Sequence, residues 1–108
     1  MSERLAILGQ SAPAANTDVD LYTVPAGREV SGILTVCNRG AAEGRFRVAL
    51  RPGGAAIANP HYLYFDTALW GNSVHAQAGI ALQAGVVVTV RATTADLSFT
   101  LQGSEVTI

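Results

Sequence analysis

The sequence predicts an all-β fold, a single β-sandwich or jelly-roll-like domain of about seven or eight antiparallel strands. Three observations point there. Apolar residues alternate with polar ones in several short runs. Gly, Pro, Asn and Asp punctuate the chain roughly every ten residues. No stretch sustains the 3.6-residue period of an amphipathic helix.

Arg4 to Leu8 is a short apolar stretch closed by Gly9, and the residues from Gln10 to Asp20 show no period. Residues 1–20 are therefore expected to form an N-terminal arm with a short strand, and residues 21–108 the sandwich. Asp20 to Val24 is β-rich and ends in the turn Pro25-Ala26-Gly27. Glu29 to Asn38 reads as a strand with Val30, Leu34 and Val36 on one face and Ile33 and Cys37 on the other. Both faces are apolar, so this strand is expected to be covered on both sides.

The clearest alternation places Phe46, Val48 and Leu50 inward and Arg45, Arg47 and Arg51 outward, with Pro52-Gly53-Gly54 ending the strand. His61 to Phe65 is a short aromatic strand, and Trp70-Gly71-Asn72 breaks the chain again. From there Val74, Ala76, Ala78, Ile80 and Leu82 are expected to share one face, with His75, Gln77, Gly79 and Ala81 facing away. Gln83-Ala84-Gly85 reads as a tight hairpin into Val86, Val88 and Val90. Leu97, Phe99 and Leu101 alternate with Ser98, Thr100 and Gln102, and Gly103 separates off a short tail. The C-terminal third is thus expected to be a locally paired meander.

Of the 108 residues, 49% are hydrophobic and only 14% charged, against roughly 25% in a typical soluble domain. Such a surface is either built from Ser, Thr, Gln, Asn and Ala or buried against other chains. A net charge of −1 leaves no electrostatic footprint for nucleic acid. No apolar run approaches the roughly 18 residues of a membrane span. Met1 to Leu8 is too short and polar for a signal peptide. The expectation is a soluble protein made in the cytoplasm that binds neither nucleic acid nor membrane.

No catalytic, cofactor-binding or metal-ligating set stands out. His61 and His75 lack ligand spacing and read as structural, His75 at an outward strand position. Cys37 is the single cysteine and reads as inert packing inside an apolar strand. Two candidate interfaces remain. Three like charges at Arg45, Arg47 and Arg51 need water or carboxylates to screen them. The face is a plain solvated one, a carboxylate-binding seam between subunits, or a polyanion site. Tyr62, Tyr64 and Trp70 lie with Phe65 in one short stretch, suited either to an interface or to the lid of the core.

Leu21 to Gly27, Leu34 to Gly40, Phe46 to Gly54, His61-Tyr62-Leu63 and Gly85 to Val90 together carry a resemblance over residues 8 to 107. They resemble small virion structural proteins of tailed bacteriophages. The resemblance implies a non-enzymatic role without cofactors, in the virion, after synthesis in the bacterial host cytoplasm. Its foremost expectation is a capsid decoration or cement protein, homo-oligomeric, bridging neighbouring copies of the major capsid protein. The alternatives are a tail, baseplate or adaptor component, and a host-surface glycan-binding module.

Overall fold

A computed structural model of the chain describes residues 2–108. Eight strands form: β1 (Glu3–Ser11), β2 (Val19–Thr23), β3 (Arg28–Asn38), β4 (Gly44–Arg51), β5 (Tyr62–Leu69), β6 (Val74–Leu82), β7 (Val87–Ala92) and β8 (Leu97–Thr107). They make two packed four-stranded sheets with the orders β1-β8-β3-β6 and β2-β7-β4-β5. Every pairing is antiparallel. The chain is an all-β sandwich.

Period-two patterning builds the core. Val30, Leu34 and Val36 of β3 and Leu97, Phe99 and Leu101 of β8 face Phe46 and Val48 of β4 and Val88 and Val90 of β7, all buried. The Phe46 and Phe99 rings meet edge-on across the two sheets with centroids 6.3 Å apart. Where β3 leaves the sheet, the buried Asn38 amide donates to the carbonyls of Ala42 (2.9 Å) and Leu69 (3.0 Å), and its Oδ1 accepts from the Gly40 N–H. One side chain thereby satisfies backbone groups that the strand exit would otherwise bury unpaired.

Several local expectations are corrected. The C-terminal third is not a meander. β6 and β8 lie in one sheet and β7 in the other, and residues 83–86 carry the chain between the sheets instead of closing a hairpin. The buried Val86 to Val90 run explains this. It suits a central strand between β2 and β4, not a half-solvated hairpin arm.

β6 does not keep one face throughout. Val36 pairs with His75 and Leu34 with Gln77, so His75 and Gln77 point inward, while Val74 and Ala76 point out. A bulge at Ala78-Gly79 then restores Ile80 and Leu82 to the core. Gly79 has φ +75°, a conformation open to glycine at little cost. An alternation read straight through a bulge inverts on one side of it.

β3 is covered on one side only. Ile33 is exposed and Cys37 half-buried, both on the outer face. The N-terminal segment contributes a nine-residue edge strand paired along β8, with a bulge at Leu8. Gly103 does not interrupt β8, which runs through to Thr107.

Candidate functional site

The outer surfaces of the two sheets differ in chemistry. On the β2-β7-β4-β5 sheet, alternation throws Arg45, Arg47 and Arg51 outward, with Arg91 of β7 directly opposite Arg47. Their carboxylates come from the same chain. Arg47 grips Asp66 with two hydrogen bonds, Nε to Oδ1 at 2.7 Å and Nη2 to Oδ2 at 3.2 Å. Asp66 sits at a bulge in β5 with φ +51°, a conformation that Asp tolerates better than most residues. The Arg47 hydrogen bonds hold the Asp66 carboxyl below its ordinary range, and Asp66 raises the Arg47 guanidinium in return. The same guanidinium stacks 4.1 Å from the Phe65 ring centroid.

Arg51 is largely covered. It donates to Thr89 Oγ1 (3.0 Å), to the Gly54 and Ala55 carbonyls (3.2 and 2.8 Å) and to Asp20 Oδ1 (3.0 Å). It therefore stitches β4 to β2, β7 and the following turn. Arg91 reaches Asp18 at 3.4 Å, and Arg45 reaches Glu43 at 3.6 Å. Four arginines face four carboxylates of their own chain, so this surface is screened without a neighbouring subunit.

The aromatic candidates do not act as one group. Tyr64 points into the sandwich, packs on Phe46 and lies against His75. Its hydroxyl donates to Gln77 Oε1 (2.7 Å) and shares a hydrogen bond with His75 Nε2 (2.9 Å). His75 is therefore inward and hydrogen-bonded, contrary to its expected outward position. Tyr62 packs edge-on against Phe65, with centroids 4.9 Å apart. Trp70 stands alone at the end of β5, 73% exposed. Leu63 and Phe65 of β5 are likewise exposed.

Glu105, which the sequence places in a short tail, is a buried carboxylate tying four strands together. It accepts hydrogen bonds from the hydroxyl of Tyr22 on β2, from Arg28 on β3 (2.6 Å) and from Arg4 on β1 (3.2 Å). The Tyr22 bond, then those of Arg28 and Arg4, hold it at about 2 despite burial, which pushes the other way. Burial and then the adjacent carboxylate lift the Tyr22 phenol to about 12. No local pattern announces this network, because its members lie at opposite ends of the sequence.

The outer face of the β1-β8-β3-β6 sheet carries Leu5 and Ile7 on β1, Gln102 and Ser104 on β8, Ser31 and Ile33 on β3, and Val74, Ala76 and Ala81 on β6. Among the described residues its charged groups are Glu3 and Glu29, both at one end. A shallow furrow of about 580 Å³ crosses all four strands, lined among others by Leu5, Ser31, Ile33, Gly79, Gln102 and Ser104.

Among the described residues no three His, Cys, Asp or Glu side chains gather as a metal site would require. His61 Nδ1 accepts from the Ala58 N–H at 3.1 Å and so closes its own turn. Among the described residues no helix is long and apolar enough to cross a membrane. No family model matches the sequence, and a search of curated proteins finds no match either.

Proposed function

We propose that this chain is a non-enzymatic structural protein of a tailed-phage virion, acting as a capsid decoration protein. The observation that carries the reading is the strand order. An eight-stranded antiparallel sandwich with the orders β1-β8-β3-β6 and β2-β7-β4-β5 has the connectivity of a jelly roll. Viral shell proteins use that architecture repeatedly, as do lectins and cupins, so fold alone supplies analogy and not function. The resemblance of residues 8 to 107 to virion proteins is what favours the virion among these in our reading.

The distribution of side chains supports binding over catalysis. The polar groups pair within the chain into the Glu105 and Arg–Asp networks, while large apolar side chains stand exposed. In this reading Leu63, Phe65 and Trp70 dock against the shell, with Arg47 held flat beside them by Asp66. Exposed aromatics of this kind anchor interfaces because they bring area at low entropic cost.

Co-sedimentation of the purified protein with tail-less heads tests the reading. The protein is expected to pellet with heads, and Trp70→Ser to weaken retention at least tenfold without altering the melt. Retention by purified tails alone would move the protein to the tail. Binding to neither would end the virion reading.

A further inference from the structure

We propose that the outer face of the β1-β8-β3-β6 sheet packs against the same face of a second copy. The two-fold axis runs along the strands between β8 and β3. The inference is independent of the virion reading.

Size comes first. The four strands have 9, 11, 11 and 9 residues. At about 3.3 Å per residue and about 4.8 Å between strands, they present roughly 600 Å². Two such faces bury roughly 1,200 Å², the lower bound of a stable specific interface.

Shape selects the occupant. Across the sheet, Ile7, Gln102, Ile33 and the Ala78-Gly79 bulge share one level, and Leu5, Ser104, Ser31 and Ala81 share the next. Each level is bulky at the β1 edge and small at the β6 edge. A two-fold axis along the strands lays β1 of one copy over β6 of its partner. Leu5 and Ile7, 80% and 60% exposed, then meet the small residues of the partner's β6 edge, and the reverse contact follows by symmetry. The ridge of one copy enters the furrow of the other. Sheets packed face to face with nearly aligned strands are a standard sandwich geometry.

Charge is confined to the rim. Glu3 and Glu29 fall at one end of the face, and the axis brings those of both copies to that same end, where water screens them and none is stranded in the centre.

Sedimentation equilibrium of the purified protein over a range of concentrations tests this. The expected species is a dimer of twice the 11.2 kDa protomer. With no ion pair across it, the dimer is expected to survive about 1 M NaCl, since screening only relieves the repulsion among the Glu3 and Glu29 carboxylates at one rim. Ile7→Lys and Gln102→Lys, each on the exposed face, are expected to weaken dimerisation at least tenfold while melting as monomers near the parent. Arg47→Ala, on the other sheet, is expected to leave the dimer unchanged. A stable monomer at all concentrations overturns the proposal. So does a dimer indifferent to both lysines, which would place the interface elsewhere.

Discussion

Replacing Glu105 by Gln keeps the shape of the side chain and removes its charge. In the native protein the carboxylate accepts from Tyr22, Arg28 and Arg4. Hydrogen bonds to a charged group contribute about 1.5–3 kcal/mol each. The Arg4 and Arg28 side chains are 59% and 41% exposed and can turn to water, so their share is small. The Tyr22 bond, covered by the end of the sandwich, carries most of the loss. The neutral amide is expected to cost about 2–3 kcal/mol at pH 7, or roughly 10–20 °C in melting temperature for a domain of this size. The pH dependence discriminates further. Glu105 titrates at about 2 when folded, against an ordinary 4.5. Between those values the unfolded chain binds the extra proton, so stability falls with pH. The contribution is full above about pH 4.5 and is lost as the pH falls through about 2. Denaturant unfolding of both proteins from pH 7 down to pH 2 therefore gives curves that run parallel above 4.5 and converge below. A difference under about 0.5 kcal/mol at pH 7, within the range of an ordinary surface substitution, would refute the reasoning. So would a difference that persists undiminished at pH 2.

Asn38→Ala is expected to cost about 1–3 kcal/mol in denaturant melts, because it strips the Ala42 and Leu69 carbonyls and the Gly40 N–H of their partner. Arg47→Ala removes a partly exposed ion pair with Asp66, so the melt is expected to shift by no more than about 1 kcal/mol. Most of that shift should disappear at high salt, as measured by melts with and without added NaCl.

Local sequence determined what local physics controls. Leu97, Phe99 and Leu101 against Ser98, Thr100 and Gln102, and Phe46 and Val48 against three arginines, identified two core faces. Side chains of successive strand residues must point oppositely, and only one set is apolar. Composition also marked the β-rich character and the scarcity of charge. Tertiary structure decided the rest. Partner choice among strands is a long-range matter, so Val86 to Val90 left its apparent hairpin for the centre of the opposite sheet. A bulge at Gly79 inverted the faces of β6 ahead of it and brought His75 inside, although nothing in its immediate neighbours departs from alternation. The arginine face found its carboxylates in Asp18, Asp20, Glu43 and Asp66, which only sheet formation brings near. Glu105 became a buried keystone because β1, β2 and β3 deliver Arg4, Tyr22 and Arg28 to one end of the sandwich. Period-two patterning specifies which side of a strand is buried. Which strand lies beside it, and what stands opposite each outward side chain, emerges only when the whole chain has paired.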